Sequence, residues 1–599
     1  MLDPRIYRTG FIAVALAVIV FAFSLQNEQG AVPANLAPSQ FSGGAAQTQM
    51  LTLAGRYPSR APGSAADSAV AQNVETALDH AGPKHPFTVS TQFFSAETSA
   101  GTRTLETVTG LLPGLSSGTI AIVAPRDGSG TASLSGTAVL EQLAPVLGAQ
   151  SLKHSVLLAS TSGTAGGAGT AELAGQLARD DVDAVIVLGD MAGENTSEPL
   201  IVPWSNGRLV APSSLRATLA AAVRAQATLK TGDPGVPAQL ARLAFPLTLS
   251  PQGPFAAAGI PAVMLSVSGE RGPTAGEKLF PGSARIAGMG KAVVATIDAL
   301  DAGSAVPAPS TYISFSGKTV PFWAVRMLVL ALLLPVLLVM VDGIARARRR
   351  GHTIFGSCAW VLAGAVPFVL GAVVIRLAKL ISAIAVAPPG PVGAGVVPVG
   401  AGGVAILVLV ALVVVAALLV LRPLCIAAAA SLLGESFERG PDDPPVAEGV
   451  GPALLLVACV VTLVLWLQDP FAALLVVPAL HLWVWVVDSD LQLPRPVAAA
   501  MLVVGLVPPA LVVGYYVHAF GLSLIDAIWN GVLLIAGGQI DPLAALEWSI
   551  VLGCLVSAVV IALSARRHQR EEPEAITVRG PISYAGPGSL GGTESAIRR

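Results

Sequence analysis

What most constrains this chain is how its charge is partitioned. Beyond Lys318 come seven apolar runs, at about residues 321–342, 354–376, 402–421, 451–467, 470–487, 497–518 and 544–564. Each approaches the roughly 20 residues a helix needs to cross hydrocarbon, where every backbone N–H and C=O must be paired within the segment. An eighth run, Gly10 to Leu25, follows Arg5 and Arg8 and precedes Gln26, Asn27 and Glu28. Its length predicts a retained signal anchor, although Ala22, Phe23 and Ser24 also fit a small-residue cleavage site. Residues 27–318 hold most of the charge and no comparable run, which predicts a water-soluble domain large enough to be held by its own core. The expected organisation is therefore an anchor over 1–26, an outer domain over 27–318, a seven-span bundle over 319–565 and a disordered tail over 566–599.

Orientation follows from the rule that Lys and Arg in short flanking loops stay cytoplasmic. Arg5 and Arg8 put the amino end inside and residues 27–318 outside. Alternation then brings the Arg346–Arg350 cluster, the loop around Glu438 to Asp443, the Arg495 loop and the Arg566–Arg570 cluster all to the inner side. Eight spans with both termini cytoplasmic, in a bacterial cytoplasmic membrane, satisfy every basic cluster at once. Gly521 to Ile540, apolar but broken by Asp526, Asn530 and a Gly pair, is expected to be an outer re-entrant or interfacial segment. A net charge of −2 leaves no basic excess to neutralise phosphates and excludes nucleic acid as a partner. The four cysteines, Cys358, Cys425, Cys459 and Cys554, lie in or beside the spans. The outer domain thus has no disulfide, thiolate zinc site or cysteine nucleophile.

Within the outer domain, Thr119 to Ala124 (TIAIVA), Ser155 to Ala159 (SVLLA) and Asp183 to Leu188 (DAVIVL) are β-rich apolar runs. Helical stretches over Gly136 to Leu147 and Ala171 to Arg179 separate them. This alternation predicts an α/β domain with a largely parallel central sheet and flanking helices, beside an α-helical transmembrane bundle. Ligand sites on such sheets lie at the carboxyl ends of the strands, here the loops after Ala124, Ala159 and Leu188.

At those loops the outer domain resembles the di-zinc aminopeptidase family, which includes glutamate carboxypeptidase and the transferrin receptor ectodomain. The resemblance runs through Gly55 to Asp67 (GRYPSRAPGSAAD), Val108 to Pro113 (VTGLLP), Ser135 to Leu143 (SGTAVLEQL), Val182 to Gly193 (VDAVIVLGDMAG) and Pro254 to Leu265 (PFAAAGIPAVML), in the family's order. It implies a co-catalytic zinc pair held by about five imidazole and carboxylate ligands, with a further carboxylate as general base. Carried over position by position, most of that set is gone. The first ligand histidine falls on Pro125, and the aspartate that would orient it is Asp127. The bridging aspartate falls on Ala132, the general base and the ligand glutamate on Thr164 and Ala165, and the last histidine near Pro273. Asp190 is kept.

The domain's histidines are His80, His85 and His154. The first two precede the metal-site strands, and His154 sits at the amino end of its strand. The expectation is no metal, no cofactor and no catalytic residue, with Asp127 and Asp190 as loop caps or as remnants of a polar pocket. The Gly163–Gly169 loop lacks a Walker-type lysine, and no Gly-x-Ser-x-Gly elbow occurs in strand–turn–helix context.

The layout of one span, an aminopeptidase-like domain and about seven further spans is similar to the Gaa-type subunit of the glycosylphosphatidylinositol transamidase. That similarity implies a membrane-complex subunit that recognises a peptide, a protein partner or a lipid-linked substrate. An active metallopeptidase with a rearranged site and a lipid or solute transporter remain alternatives. In the bundle, Arg376 and Lys379 are expected to snorkel at a span end, and Trp483, Trp485, Tyr515 and Tyr516 to form interface belts near His481 and Asp488. Arg376, His518 and Asp526 are candidate contacts to membrane lipid headgroups on the outer side.

Overall fold

The computed structural model describes residues 4–33, 40–81, 86–351, 354–433, 449–488 and 493–564. His85, the Glu438–Asp443 loop and the 566–599 tail lie outside them. Helix α1 (Pro4–Phe23) leads into the short strand β1 (Gln26–Asn27). Helices α2 (Gly43–Arg56) and α3 (Ala65–Asp79) follow, each opened by a serine that caps it: Ser42 accepts from Ala45 N–H and Ser64 from Asp67 N–H. Such a side chain satisfies one of the amides a helix start leaves unpaired. Strand β2 (Ser59–Arg60) lies between these two helices, and after them come β3 (Thr88–Thr98), β4 (Gly101–Leu112), β5 (Thr119–Pro125), β6 (Gly128–Ser129), α4 (Ser135–Leu147), β7 (Ser155–Thr161), α5 (Ala168–Leu177), β8 (Val182–Leu188) and β9 (Ile201–Val202). Helices α6 (Ser213–Ala227), α7 (Val236–Ala244) and α8 (Gly253–Ala257), strand β10 (Ala262–Leu265) and helix α9 (Ala284–Ala302) complete the domain, followed by β11 (Tyr312–Phe315) and β12 (Lys318–Pro321).

Seven strands form one mixed sheet in the order β3-β4-β7-β5-β8-β10-β9. The inner four, β7, β5, β8 and β10, are parallel. The β3–β4 hairpin and β9 pair antiparallel at the two edges. The expected α/β class is present, but the largely parallel sheet is corrected to a parallel centre with antiparallel edges. The miss has a physical cause. β3 and β4 alternate polar and apolar residues, as strands covered on one face do, and carry no continuous apolar run.

Side-chain alternation along each central strand divides the core. Ile120, Ile122, Ile186 and Leu158 pack towards α2, α3, α4 and α9, whereas Ala121, Val123, Val185 and Val187 pack towards α5, α7 and α8. The second cluster does not end at the domain. It continues through Ile313, Val320 and Ala324 into the apolar helices.

Those helices are α10 (Phe322–Arg349), α11 (Ile354–Leu362), α12 (Val366–Leu380), α13 (Ala401–Ala416), a π turn, α14 (Arg422–Leu433), α15 (Val450–Gln468), α16 (Pro470–Val487), α17 (Arg495–Gly505), α18 (Val507–Phe520), α19 (Leu524–Gly537) and α20 (Pro542–Ser564). Among the described residues seven stretches are long and apolar enough to cross a membrane, and α17 with α18, bent by 48°, pass the same test only if counted together, as a broken span or a re-entrant loop. The bend falls at Leu506, just before Pro508 and Pro509, which cannot donate to the preceding turn. Helix α19 has 14 residues and spans about 21 Å at 1.5 Å per residue, too short to cross. This is the expected interruption at Gly521–Ile540.

Candidate functional site

From β5 the chain passes through α4 to β7 on one side, and from β8 it proceeds to β10 on the other. Ligands on such sheets bind where the strand order reverses, outside the carboxyl ends of the two diverging strands. Here that place is bounded by the loop after β5, which carries Asp127 and Ala132, and the loop after β8, which carries Asp190. The loop after β7, with Thr164 and Ala165, adjoins them. The segment carrying Pro273 closes from the side, since a Cβ on Gly130 would lie 2.6 Å from the Ala275 carbonyl oxygen.

The side chains there hold the loops to one another. Both carboxylate oxygens of Asp127 accept from the Thr164 amide, each at 3.1 Å, and Oδ1 also accepts from the Thr164 hydroxyl. Burial pushes the Asp127 carboxyl up to about 6, against the opposing pull of the Thr164 bonds. Asp190 is fully buried. Its Oδ1 accepts from the amides of Ala192 and Gly193, both at 2.9 Å. Burial raises this carboxyl too, while those amides and nearby Ser268 and Ser135 lower it. The Ser135 hydroxyl donates to the Ala132 carbonyl at 2.5 Å and accepts from Met191 N–H at 2.8 Å. The fold thus joins Asp127 with Thr164, and Ala132 with Ser135 and the Asp190 loop, as two separate clamps. Asp127 and one oxygen of Asp190 thus bind loop amides, while Asp190 Oδ2 is buried without a hydrogen-bond partner.

Arg126 lies between the Pro125 and Asp127 positions. Fully buried, it pairs with Asp67 at 2.9 Å and Glu106 at 3.7 Å and donates to the Glu106 and Ser160 carbonyls at 2.8 and 3.1 Å. Arg60, also buried, donates to the Arg126 carbonyl at 2.9 Å and to Ser133 Oγ at 2.5 Å. Buried guanidinium groups are tolerated when every donor finds an acceptor, and these two knit the Gly55–Asp67 segment to the carboxyl edge of the sheet. His154 lies at the opposite end of β7, 3.1 Å from Asp301 and 3.7 Å from Asp183. His80 caps the exposed end of α3 through the Thr76 carbonyl at 2.7 Å. Among the described residues no three His, Cys, Asp or Glu side chains are grouped to hold a metal ion.

The same edge faces the apolar helices. A Cβ on Gly166 would lie 2.4 Å from Pro388, so the loop after β7 touches the α12–α13 connection. Lys379, expected to snorkel, has its Nζ 2.6 Å from Glu97 on β3. Arg376 donates to the Ile540 carbonyl at 2.6 Å, and Asp526 closes a capping box with Ser523 at the start of α19.

Tyr515 and Tyr516 likewise depart from a simple belt. Arg242, on α7 and only 3% exposed, stacks 5.1–5.3 Å from the ring centroids of Tyr515, Tyr516 and Phe520. It donates to Tyr515 Oη at 2.9 Å and bidentately to Glu270, whose Oε1 also accepts from the Leu249 amide at 3.0 Å. Arg271 donates to the last carbonyls of α18, those of Ala519 (2.9 Å) and His518. It thereby satisfies acceptors that a helix end leaves open. Nothing local in the sequence marks Arg242 or Arg271, because their partners on α18 lie 247–273 residues away. In the bundle the Leu332 carbonyl accepts from His481 Nε2 at 2.9 Å, which leaves Nδ1 to accept from the Tyr7 hydroxyl at 2.7 Å.

Two cavities open along this seam. One of about 380 Å³ lies between Glu198, Asp233 and Ser268–Arg271 on the domain and Tyr515 and His518 on α18. Another of about 400 Å³ is lined by Glu97, Glu172, Lys379 and Pro389.

No protein-family profile and no curated protein matches the chain. Solved structures similar to it include a glutaminyl cyclase from an Acidobacteriales bacterium (16% identity, TM-score 0.35, covering 46% of this chain and 99% of that one). A leucine aminopeptidase precursor from Bacteroides thetaiotaomicron (14%, 0.35, 44% and 98%) and LapB from Legionella pneumophila (15%, 0.35, 48% and 81%) are also similar. At these scores the likeness assigns no activity. Each covers less than half of this chain.

Proposed function

We propose that the chain is a non-catalytic multi-pass membrane protein whose aminopeptidase-like outer domain binds a peptide, a protein or a lipid-linked partner within a membrane complex. In this reading residues 27–318 lie outside the bacterial cytoplasmic membrane and both termini inside. The observation that carries it is the fate of the carboxyl edge of the sheet. Asp127 and the Oδ1 atom of Asp190 bind neighbouring amides, and cavities of about 380 and 400 Å³ open along the seam between domain and helices. A partner held there would approach along the membrane surface.

Metal analysis of the purified full chain, with aminopeptidase assays before and after chelation, tests this. Substoichiometric zinc and no chelator-sensitive hydrolysis are expected. Stoichiometric zinc with chelator-sensitive activity would establish instead a metallopeptidase with a rearranged site.

A further inference from the structure

Between α18, α19 and the outer-domain segment at Phe245 and Leu247 lies a crevice of about 170 Å³. Val512, Val513 and Val517 of α18 and Leu534 of α19 form its walls, and Phe245 and Leu247 its roof. Its polar groups are already matched. The Tyr516 hydroxyl donates to the Phe245 carbonyl, and the Asn530 amide exchanges bonds with Val392 N–H and C=O at 3.2 and 3.0 Å. A trapped water needs two to four polar partners, and dry apolar voids of roughly 150 Å³ take up hydrocarbon.

Left empty, the lining would forgo dispersion contacts on one side. The flanks of the crevice indicate what fills it. Leu511 on α18 and Leu524, Ile525 and Ile528 on α19 are 53–71% exposed, apolar surface that no other described residue covers and that suits a hydrocarbon surrounding.

We propose that this crevice holds one acyl chain of a membrane lipid, inserted from the bilayer between α18 and α19 until its end lies under Leu247. The proposal stands whether or not the outer domain is catalytic. It gives the roof a role. The Leu247 carbonyl accepts from Arg242, and Thr248 and Leu249 both bind Glu270. A chain in the crevice therefore props the segment that orders the Arg242–Glu270 pair and with it one wall of the polar cavity above α18.

Gly531 makes the test clean. It lines the crevice, and a Cβ built there meets no heavy atom within 4 Å, so Gly531→Leu fills the space while improving the helix. The full chain is reconstituted in phosphatidylcholine nanodiscs containing a phospholipid with a diazirine at the end of one acyl chain. After illumination the labelled peptides are mapped by mass spectrometry. Labels are expected at Phe245 or Leu247 as well as at lipid-facing Leu511, and Gly531→Leu should abolish the former and keep the latter. Leu534→Phe, read in the same way, guards against a folding defect in the first variant. No label on the roof in the unaltered protein, or a roof label undiminished by both substitutions, overturns the proposal.

Discussion

Arg126 and Arg242 are both buried arginines paired with carboxylates, but they serve different boundaries. Arg126 meets Asp67 and Glu106 within one layer of the outer domain and closes that domain on itself. Arg242 meets Glu270 on its own side and three aromatic rings of α18 on the other. The 27–318 domain spends its internal charges on joining the loops at the carboxyl edge of its own sheet, whereas the bundle spends polar groups on gripping the domain. A charged residue near a span end therefore need not address lipid; a folded neighbour can desolvate it first.

The largest test of that contrast is Arg126→Ala. Removing one partner from a buried ion network strands the others, at about 3–5 kcal/mol. The outer domain should become cleavable by protease at markedly lower temperature while α15 and α16 stay protected; a loss too small to detect would break the distinction.

Next comes Glu141 on α4, 4% exposed, whose carboxyl burial raises to about 7 from an ordinary 4.5, with the bond to Gln49 opposing. The fold holds this proton more tightly than the unfolded chain does. Its contribution is therefore complete below about pH 4.5 and is lost as pH rises through about 7. Glu141→Gln should stabilise the outer domain by up to about 3 kcal/mol at pH 8 and by almost nothing at pH 4, read as melting temperature against pH. A pH-independent effect would place Glu141 in contact with water.

The smallest is Arg242→Ala, about 2 kcal/mol at the joint. Amide exchange should quicken over 515–520 and 268–271 with little change in the domain's own melting. A shift confined to the domain would mean that the grip on α18 is incidental.

How much of this was legible follows from range. The apolar runs at Thr119, Ser155 and Asp183 became β5, β7 and β8 almost residue for residue, since continuous burial on both faces leaves a compositional mark. The apolar runs after Lys318 match the helices because a segment crossing hydrocarbon must be apolar over about 20 residues whether or not its side chains are buried in protein. The β3–β4 hairpin left only an alternating pattern. The seam left none: Lys379 with Glu97, Arg271 with the α18 carbonyls and Arg242 with Tyr515 join residues 247–282 positions apart, and pairing over that distance is set by the fold. At the candidate site the sequence supplied the loops and the substitutions in them. It could not supply Asp127's bonds to Thr164, which depend on how two loops meet.

β1, just after α1, pairs antiparallel with β12, just before α10, through Gln26–Thr319 and Asn27–Lys318. Below that tie Gly10 lies so close to Pro335 that a Cβ would approach its backbone to 2.6 Å. The outer domain is thus threaded between two neighbouring helices as a single long excursion. During synthesis α1 emerges first and must wait, without its partner, until the whole excursion has been made. The clasp of β1 on β12 is then the event that ends the waiting, and substitutions there should delay assembly of the finished protein more than they weaken it.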